Sequence, residues 1–186
     1  MKELMHSFLL RFDNTFWYLE KIAWEYPEEY FFKTNDESEW TPAMHLEYVV
    51  RLELWMCKYL ERKTSTDWLH LRLSGLENYL GAERMKIDYL SHYFINPEPR
   101  VRPPWGDKKA PRLLEGLVRM RKRFYNLFQE MDEHFYDRLV YEHPRYGEFD
   151  VFLCMQFLEL NARYHGQKMN FILLKHKENA ALKVPA

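Results

Sequence analysis

The residues best placed to do chemistry come in two short groups. Asn161 and His165 lie four apart in the run Asn161-Ala162-Arg163-Tyr164-His165-Gly166-Gln167. His45 and Tyr48 lie three apart, just after Trp40-Thr41-Pro42-Ala43. At about 3.6 residues per turn, each pair shares one face of a helix. Apolar residues flank both pairs, and polar groups turned inward cost free energy unless something satisfies them. Neutral imidazole is the commonest biological metal ligand. A catalytic zinc-type site needs three protein ligands and an open position for water. His45 and His165, with Asn161 or Tyr48, would reach that count. A bound metal would lower the pKa of its water or activate a thiol co-substrate. The same residues support a plainer alternative, in which Asn161 and His165 satisfy one another and Tyr48 closes a small polar network.

The elements that must position these groups follow from apolar spacing. Leu9, Phe12, Phe16, Leu19 and Ala23 predict a first helix from about residue 3 to 26, stopped near Pro27. A polar loop follows, from Lys33 to Glu39. Thr41-Pro42 then reads as an N-cap with proline at the first helical position, opening a second helix to about residue 62. It buries Leu46, Val49, Leu52 and Met56. Thr66 or Asp67 can cap a further helical stretch to about Phe94, with a break plausible at Gly75 or Gly81. Asn96 to Pro111 is proline-rich and must be loop. The stripe Leu113, Leu117, Met120, Phe124, Phe128, Met131, Phe135 and Leu139 predicts a third main helix, about 112 to 140. After the turn His143-Pro144-Arg145-Tyr146-Gly147, which His143 is placed to order, a fourth helix runs from about 149 to 176. No β-type alternation stands out. The expected fold is all-α: a four-helix up-down bundle with a helical segment inserted between helices two and three. All 186 residues form one domain, and the natural place for a site is the core between facing helices.

Composition excludes several functions. The net charge of −1 offers no global attraction to nucleic acid or to an anionic membrane. The basic cluster Arg119, Arg121, Lys122 and Arg123 reads as a solvated helix face. No window is long and apolar enough to span a membrane. Cys57 and Cys154 sit in apolar runs and read as buried thiols, which suits a cytoplasmic protein. His6, His70, His92, His134 and His176 have no ligand-like neighbour and read as surface groups. Gln167 lies on a different face from His165. No nucleophile elbow, P-loop, dinucleotide fingerprint or paired-cysteine zinc motif is present.

Three stretches make the chain resemble the DinB/YfiT-like family of four-helix bundles. They are Trp40-Thr41-Pro42-Ala43 opening helix two, His143-Pro144-x-x-Gly147 before helix four, and His165-Gly166-Gln167. The resemblance covers most of the chain. It implies a bundle whose three histidines hold a divalent metal, often nickel or zinc, and an activity such as a metal-assisted hydrolase or a thiol-dependent transferase. It also implies a small-molecule ligand and a homodimer, for which Trp68 and Trp105 are the exposed-aromatic candidates. The chain departs from the family pattern at two ligand positions. Tyr48 stands eight residues after Trp40, where the family has histidine, and Asn161 stands for the first histidine of the later pair. Only His165 is retained, with His45 one turn from Tyr48 as a substitute. The competing reading is a metal-free, non-enzymatic bundle that binds a small molecule or acts through dimerisation.

Overall fold

The computed structural model describes residues 2–34, 39–91, 98 and 100–181. Four long helices dominate it: α1 (Lys2–Glu25), α3 (Pro42–Thr64), α5 (Ala110–Glu130) and α6 (Val151–Ala181). Shorter helices α2 (Glu28–Phe31) and α4 (Leu76–Leu90) lie between them. Among the described residues no helix is long and apolar enough to cross a membrane.

The register of contacts fixes the direction of each helix. Along α1 and α6, Phe8 meets Phe152, Arg11 meets Glu159, and Glu25 meets Lys177, so the two run parallel. Along α3 and α5, Gly116 approaches Val50, Arg121 reaches Glu53 and Arg123 reaches Glu61, so these are parallel too. Phe12 packs on Phe124 while Glu28 pairs with Lys109, which sets α1 against α5 in opposite directions. The order is therefore up, down, down, up, and not the alternating up-down arrangement expected from the sequence. Two consecutive helices that point the same way need a return path. The chain makes it through α4, which runs alongside α6: Asn78 bonds Asp150 and Tyr89 receives Gln167. The inserted segment is the crossover that this topology requires.

Gly166 lets α1 and α6 approach closely beside His165. A Cβ there would sit 2.5 Å from the Tyr18 ring, well inside van der Waals contact.

Three expected elements come out differently. The third main helix ends at Glu130 rather than near 140. Met131 and Asp132 turn extended, and the Asp132 side chain accepts the His134 N–H to start a separate 3-10 turn, Glu133–Phe135. Met131 and Phe135 stay buried, so their apolar spacing hid the break. The helical stretch expected from residue 66 begins only at Leu76. Asp67 instead caps a local turn through Leu69 N–H, and Leu73 bridges to Arg138. A short hairpin pairs β1 (Tyr141–His143) with β2 (Gly147–Phe149), in the register Tyr141 to Phe149 and His143 to Gly147. Three residues per strand leave no alternation to read. Gly147, at φ 81°, closes the three-residue loop as hairpins of this length require. The stretch from His92 to Phe94, part of the polar loop, and Asn96, Pro97 and Pro99 lie outside the described residues.

The basic cluster of α5 is not wholly solvated. Arg121 is buried and holds Glu53 at 2.9 Å and Thr15 Oγ1 at 2.8 Å. It also donates to the Phe12 carbonyl, with its guanidinium 4.0 Å above the Phe12 ring. Of the two aromatic candidates for an interface, Trp68 is stacked on His134 at 4.4 Å and half-buried. Trp105 is exposed, with Arg51 over its ring.

Candidate functional site

Thr41 caps α3 as expected, accepting the Met44 N–H at 3.2 Å, with Pro42 at the first helical position. This cap fixes where the chain enters α3 and so where Trp40, His45 and Tyr48 stand. Asp150 caps α6 in the same way, accepting the Leu153 N–H at 2.7 Å. The two helices run antiparallel, and their inner faces meet at His45 and His165. The two Nδ1 atoms are 2.8 Å apart, a hydrogen bond in which one ring donates and the other accepts. Trp40 lies nearly parallel to the His165 ring at 5.8 Å, and the Tyr48 ring is 4.9 Å from it. His45, Tyr48, Asn161 and His165 are all buried.

Burial sets the charge of the pair. Removal from water, reinforced by Lys168, depresses His45 to about 3. The same burial, with repulsion from His45 and Lys168, holds His165 well below the ordinary imidazole value. Both rings are neutral at pH 7.

Asn161 and Tyr48 are near this pair but spend their polar atoms differently from the sequence reading. No hydrogen bond joins Asn161 to His165 among the described residues; the partner of His165 is His45. Asn161 Oδ1 is buried without any partner. Tyr48 uses its oxygen to accept the Glu98 N–H at 2.6 Å. Burial raises its phenol above the usual range, so it stays protonated, and among the described residues its own O–H finds no acceptor.

Glu98 is the residue that sequence reasoning missed. Its buried carboxylate receives the Tyr141 O–H at 2.6 Å and the Arg100 N–H at 3.4 Å, and the His143 ring nitrogen Nε2 lies 3.6 Å away. His143 orders its turn as expected, its Nδ1 accepting the N–H groups of Arg145 and Tyr146. That leaves the ring proton on Nε2, facing Glu98. Burial, with Arg100 and Arg145 nearby, lowers His143 to about 4 and keeps it neutral. The only signal in the sequence was a lone acid among prolines in a loop. A second acid, Glu47, holds the far end of that loop: it accepts the N–H groups of Trp105 at 2.9 Å and Gly106 at 2.7 Å and pairs with Lys108 and Arg51. Burial pushes the Glu47 carboxyl up, but hydrogen bonds from Lys108, the Gly106 amide and Arg51 outweigh it and bring it to about 2.

As they stand, His45 and His165 are spaced for a hydrogen bond rather than for joint ligation of a metal. Two imidazole nitrogens on one tetrahedral zinc would stand about 3.3 Å apart, and here a hydrogen bond draws them to 2.8 Å. Tyr48 is a phenol whose oxygen is already in use. The buried carboxylate of Glu98 is claimed by Tyr141, Arg100 and His143. Among the described residues no group of three or more His, Cys, Asp or Glu is placed to hold a metal ion. Among the described residues the arrangement offers the Tyr48 O–H as a donor and Asn161 Oδ1 as an acceptor, beside two imidazole Nε2 atoms of which one carries a proton and one does not. Compared with protein-family models, with curated proteins and with solved structures, the chain matches none of them.

Proposed function

We propose that the chain is a DinB/YfiT-like bundle of four helices in which a neutral histidine pair takes the place of a metal centre. Its work is to bind a small polar molecule carrying a hydrogen-bond acceptor, a donor and no positive charge. The observation that carries this reading is the hydrogen bond between His45 and His165, two buried neutral rings whose Nδ1 atoms satisfy one another without an ion. The ligand would accept from Tyr48 and donate to Asn161 Oδ1, and Lys168 disfavours a cation. The capped start of α3 supports the likeness, and the two buried free thiols support a cytoplasmic setting.

A second reading keeps the metal. Asn161 Oδ1 is an orphaned buried carbonyl, and it favours a nickel or zinc ion held by His45, His165 and Asn161. When bound, that ion would supply an activated water or thiolate for a hydrolase or thiol-dependent transferase. Elemental analysis separates the two. Protein purified from zinc- and nickel-supplemented medium should carry less than stoichiometric metal, and its melting temperature should not move on chelation. Native mass spectrometry should show a co-purifying small molecule that Asn161→Leu loses. Stoichiometric metal that disappears in a folded His165→Ala protein would overturn the first reading in favour of the second.

A further inference from the structure

Tyr59, Arg62 and Lys63 stand at i, i+3 and i+4 on the last turns of α3, so they share one face of the helix. With Thr66 and His70 they line a cleft of about 420 Å³. Arg62 and His70 are exposed, and Lys63 is half-buried. Among the described residues none of these three forms an ion pair, whereas Arg51 and Arg123 are held by Glu47 and Glu61.

Cations at the end of a helix ordinarily serve its unpaired carbonyls. Here other groups take those carbonyls. Thr64 Oγ1 donates to the Leu60 carbonyl at 2.8 Å, and the Ser65 N–H to that of Glu61 at 3.1 Å. Ser65 Oγ donates to the Arg62 carbonyl at 2.9 Å, and Thr66 Oγ1 to that of Lys63 at 2.8 Å. Arg62 uses only its Nε, on the Lys58 carbonyl at 3.4 Å. Its two terminal nitrogens and the Lys63 ammonium have no partner among the described residues.

The walls of the cleft are fixed by the fold. Asp67 accepts the Leu69 N–H, and the Leu71 N–H returns to the Trp68 carbonyl at 3.0 Å. The segment beyond is tied down through the Ser74 N–H to the Asp137 carbonyl and the Leu139 N–H to that of Arg72. Tyr59 donates its O–H to the Val140 carbonyl at 3.0 Å. Burial raises the Tyr59 phenol, and of the groups charged at pH 7 that act on it, Arg100 and Arg62 each outweigh Glu142. The field at that wall is therefore positive.

We propose that this cleft binds the phosphate group of a small phosphorylated molecule, a phosphomonoester or a diphosphate. The Arg62 guanidinium matches two phosphate oxygens, Lys63 adds a point charge, and His70 supplies a donor from the segment after α3. Walls set before binding reduce the ordering cost. The cleft is distinct from the histidine pair: Arg62 lies about 26 Å along the α3 axis from His45. Nucleic acid is a poor occupant, because it needs cations that follow a backbone. This is a single pit on a chain of net charge −1.

Calorimetric titration of the full chain with inorganic pyrophosphate, in about 150 mM chloride to screen diffuse attraction, tests the proposal. One equivalent should bind with a dissociation constant of about 100 µM or tighter. Arg62→Ala and Lys63→Ala should each weaken binding by roughly 10-fold, and the double variant should abolish it. Lys21→Ala, which removes an exposed cation on α1, should leave it unchanged. In the wild type, pyrophosphate should also shield the Lys63 amine from acetic anhydride, read by peptide mass spectrometry. No heat of binding at about 5 mM pyrophosphate overturns the proposal. So does affinity that survives in the double variant, or acylation of Lys63 that pyrophosphate does not slow. A single-stranded RNA that binds more tightly than pyrophosphate and displaces it assigns the cleft to nucleic acid and overturns the small-molecule reading. Should the double variant fail to fold, the wild-type acylation decides alone.

Discussion

Two buried polar clusters in this molecule solve the same problem in opposite ways. Between α1, α3 and α5, Arg121 and Glu53 form a buried pair at 2.9 Å, in which burial pushes the Glu53 carboxyl up and the Arg121 guanidinium opposes that push. Between α3 and α6, His45 and His165 discard charge and share a hydrogen bond at 2.8 Å. Both clusters leave atoms unspent: Glu53 Oε2 and Arg121 Nε in the first, Asn161 Oδ1 in the second. The difference lies in what happens when a partner is lost. An ion stranded in the core is expensive, while a neutral ring left alone forfeits one hydrogen bond. The first cluster is therefore committed to stability, and the second can exchange partners with a ligand at modest cost.

The largest test of this contrast is at the charged pair. Arg121→Leu should destabilise the protein by about 3–5 kcal/mol in chemical denaturation, because it strands Glu53. The double change Arg121→Leu with Glu53→Leu should cost clearly less than the sum of the two single changes. An additive result would mean that the pair is not coupled.

At the neutral pair, His45→Leu should cost about 1–3 kcal/mol, the loss of one partner of a buried hydrogen bond. Its effect on pH dependence is the sharper probe. In the unfolded chain His45 titrates near 6.5, and in the folded protein near 3. The unfolded state thus binds the proton first, so stability is full above about 6.5 and falls as pH drops toward 3. His143, at about 4, adds to the same slope. Melting curves of His45→Leu should fall less steeply across this window than those of the wild type, and equal slopes would sink the assignment of a neutral buried pair.

Smaller again is the loop clamp. Glu47 titrates at about 2 in the folded protein against an ordinary 4.5. Its contribution is present above about 4.5 and is lost as pH falls toward 2. Hydrogen exchange at the Trp105 and Gly106 amides should speed up in that range, and Glu47→Gln should remove the dependence. The smallest effect belongs to Asn161→Leu. It replaces an orphaned acceptor with an apolar group and should change stability by about 1 kcal/mol or less. A large loss would show that the amide is a structural partner.

The N-cap at Thr41, the ends of α1 and α3, and the existence of α6 were legible in the residues, because caps and apolar periodicity act over a few positions. So was the inward placement of His45, Tyr48, Asn161 and His165, which the structure finds buried. Arg121 was misread because it stands in a run of cations, of which Lys122 is exposed and Arg123 is half-buried against Glu61. Nothing local distinguishes an arginine that faces Glu53 from one that faces water. Glu98 was invisible for the same reason: its partners Tyr48 and Tyr141 lie 50 and 43 residues away.

What the residues alone determined was a helical chain with polar groups turned inward at two places. Only the tertiary structure decided that α3 and α5 run the same way, that α4 carries the return, and that His45 meets His165 across 120 residues of sequence. Helix formation depends on hydrogen bonds four residues apart. The direction of one helix against another, and the partner each buried imidazole finds, depend on which faces can be packed together without leaving charge or apolar surface exposed.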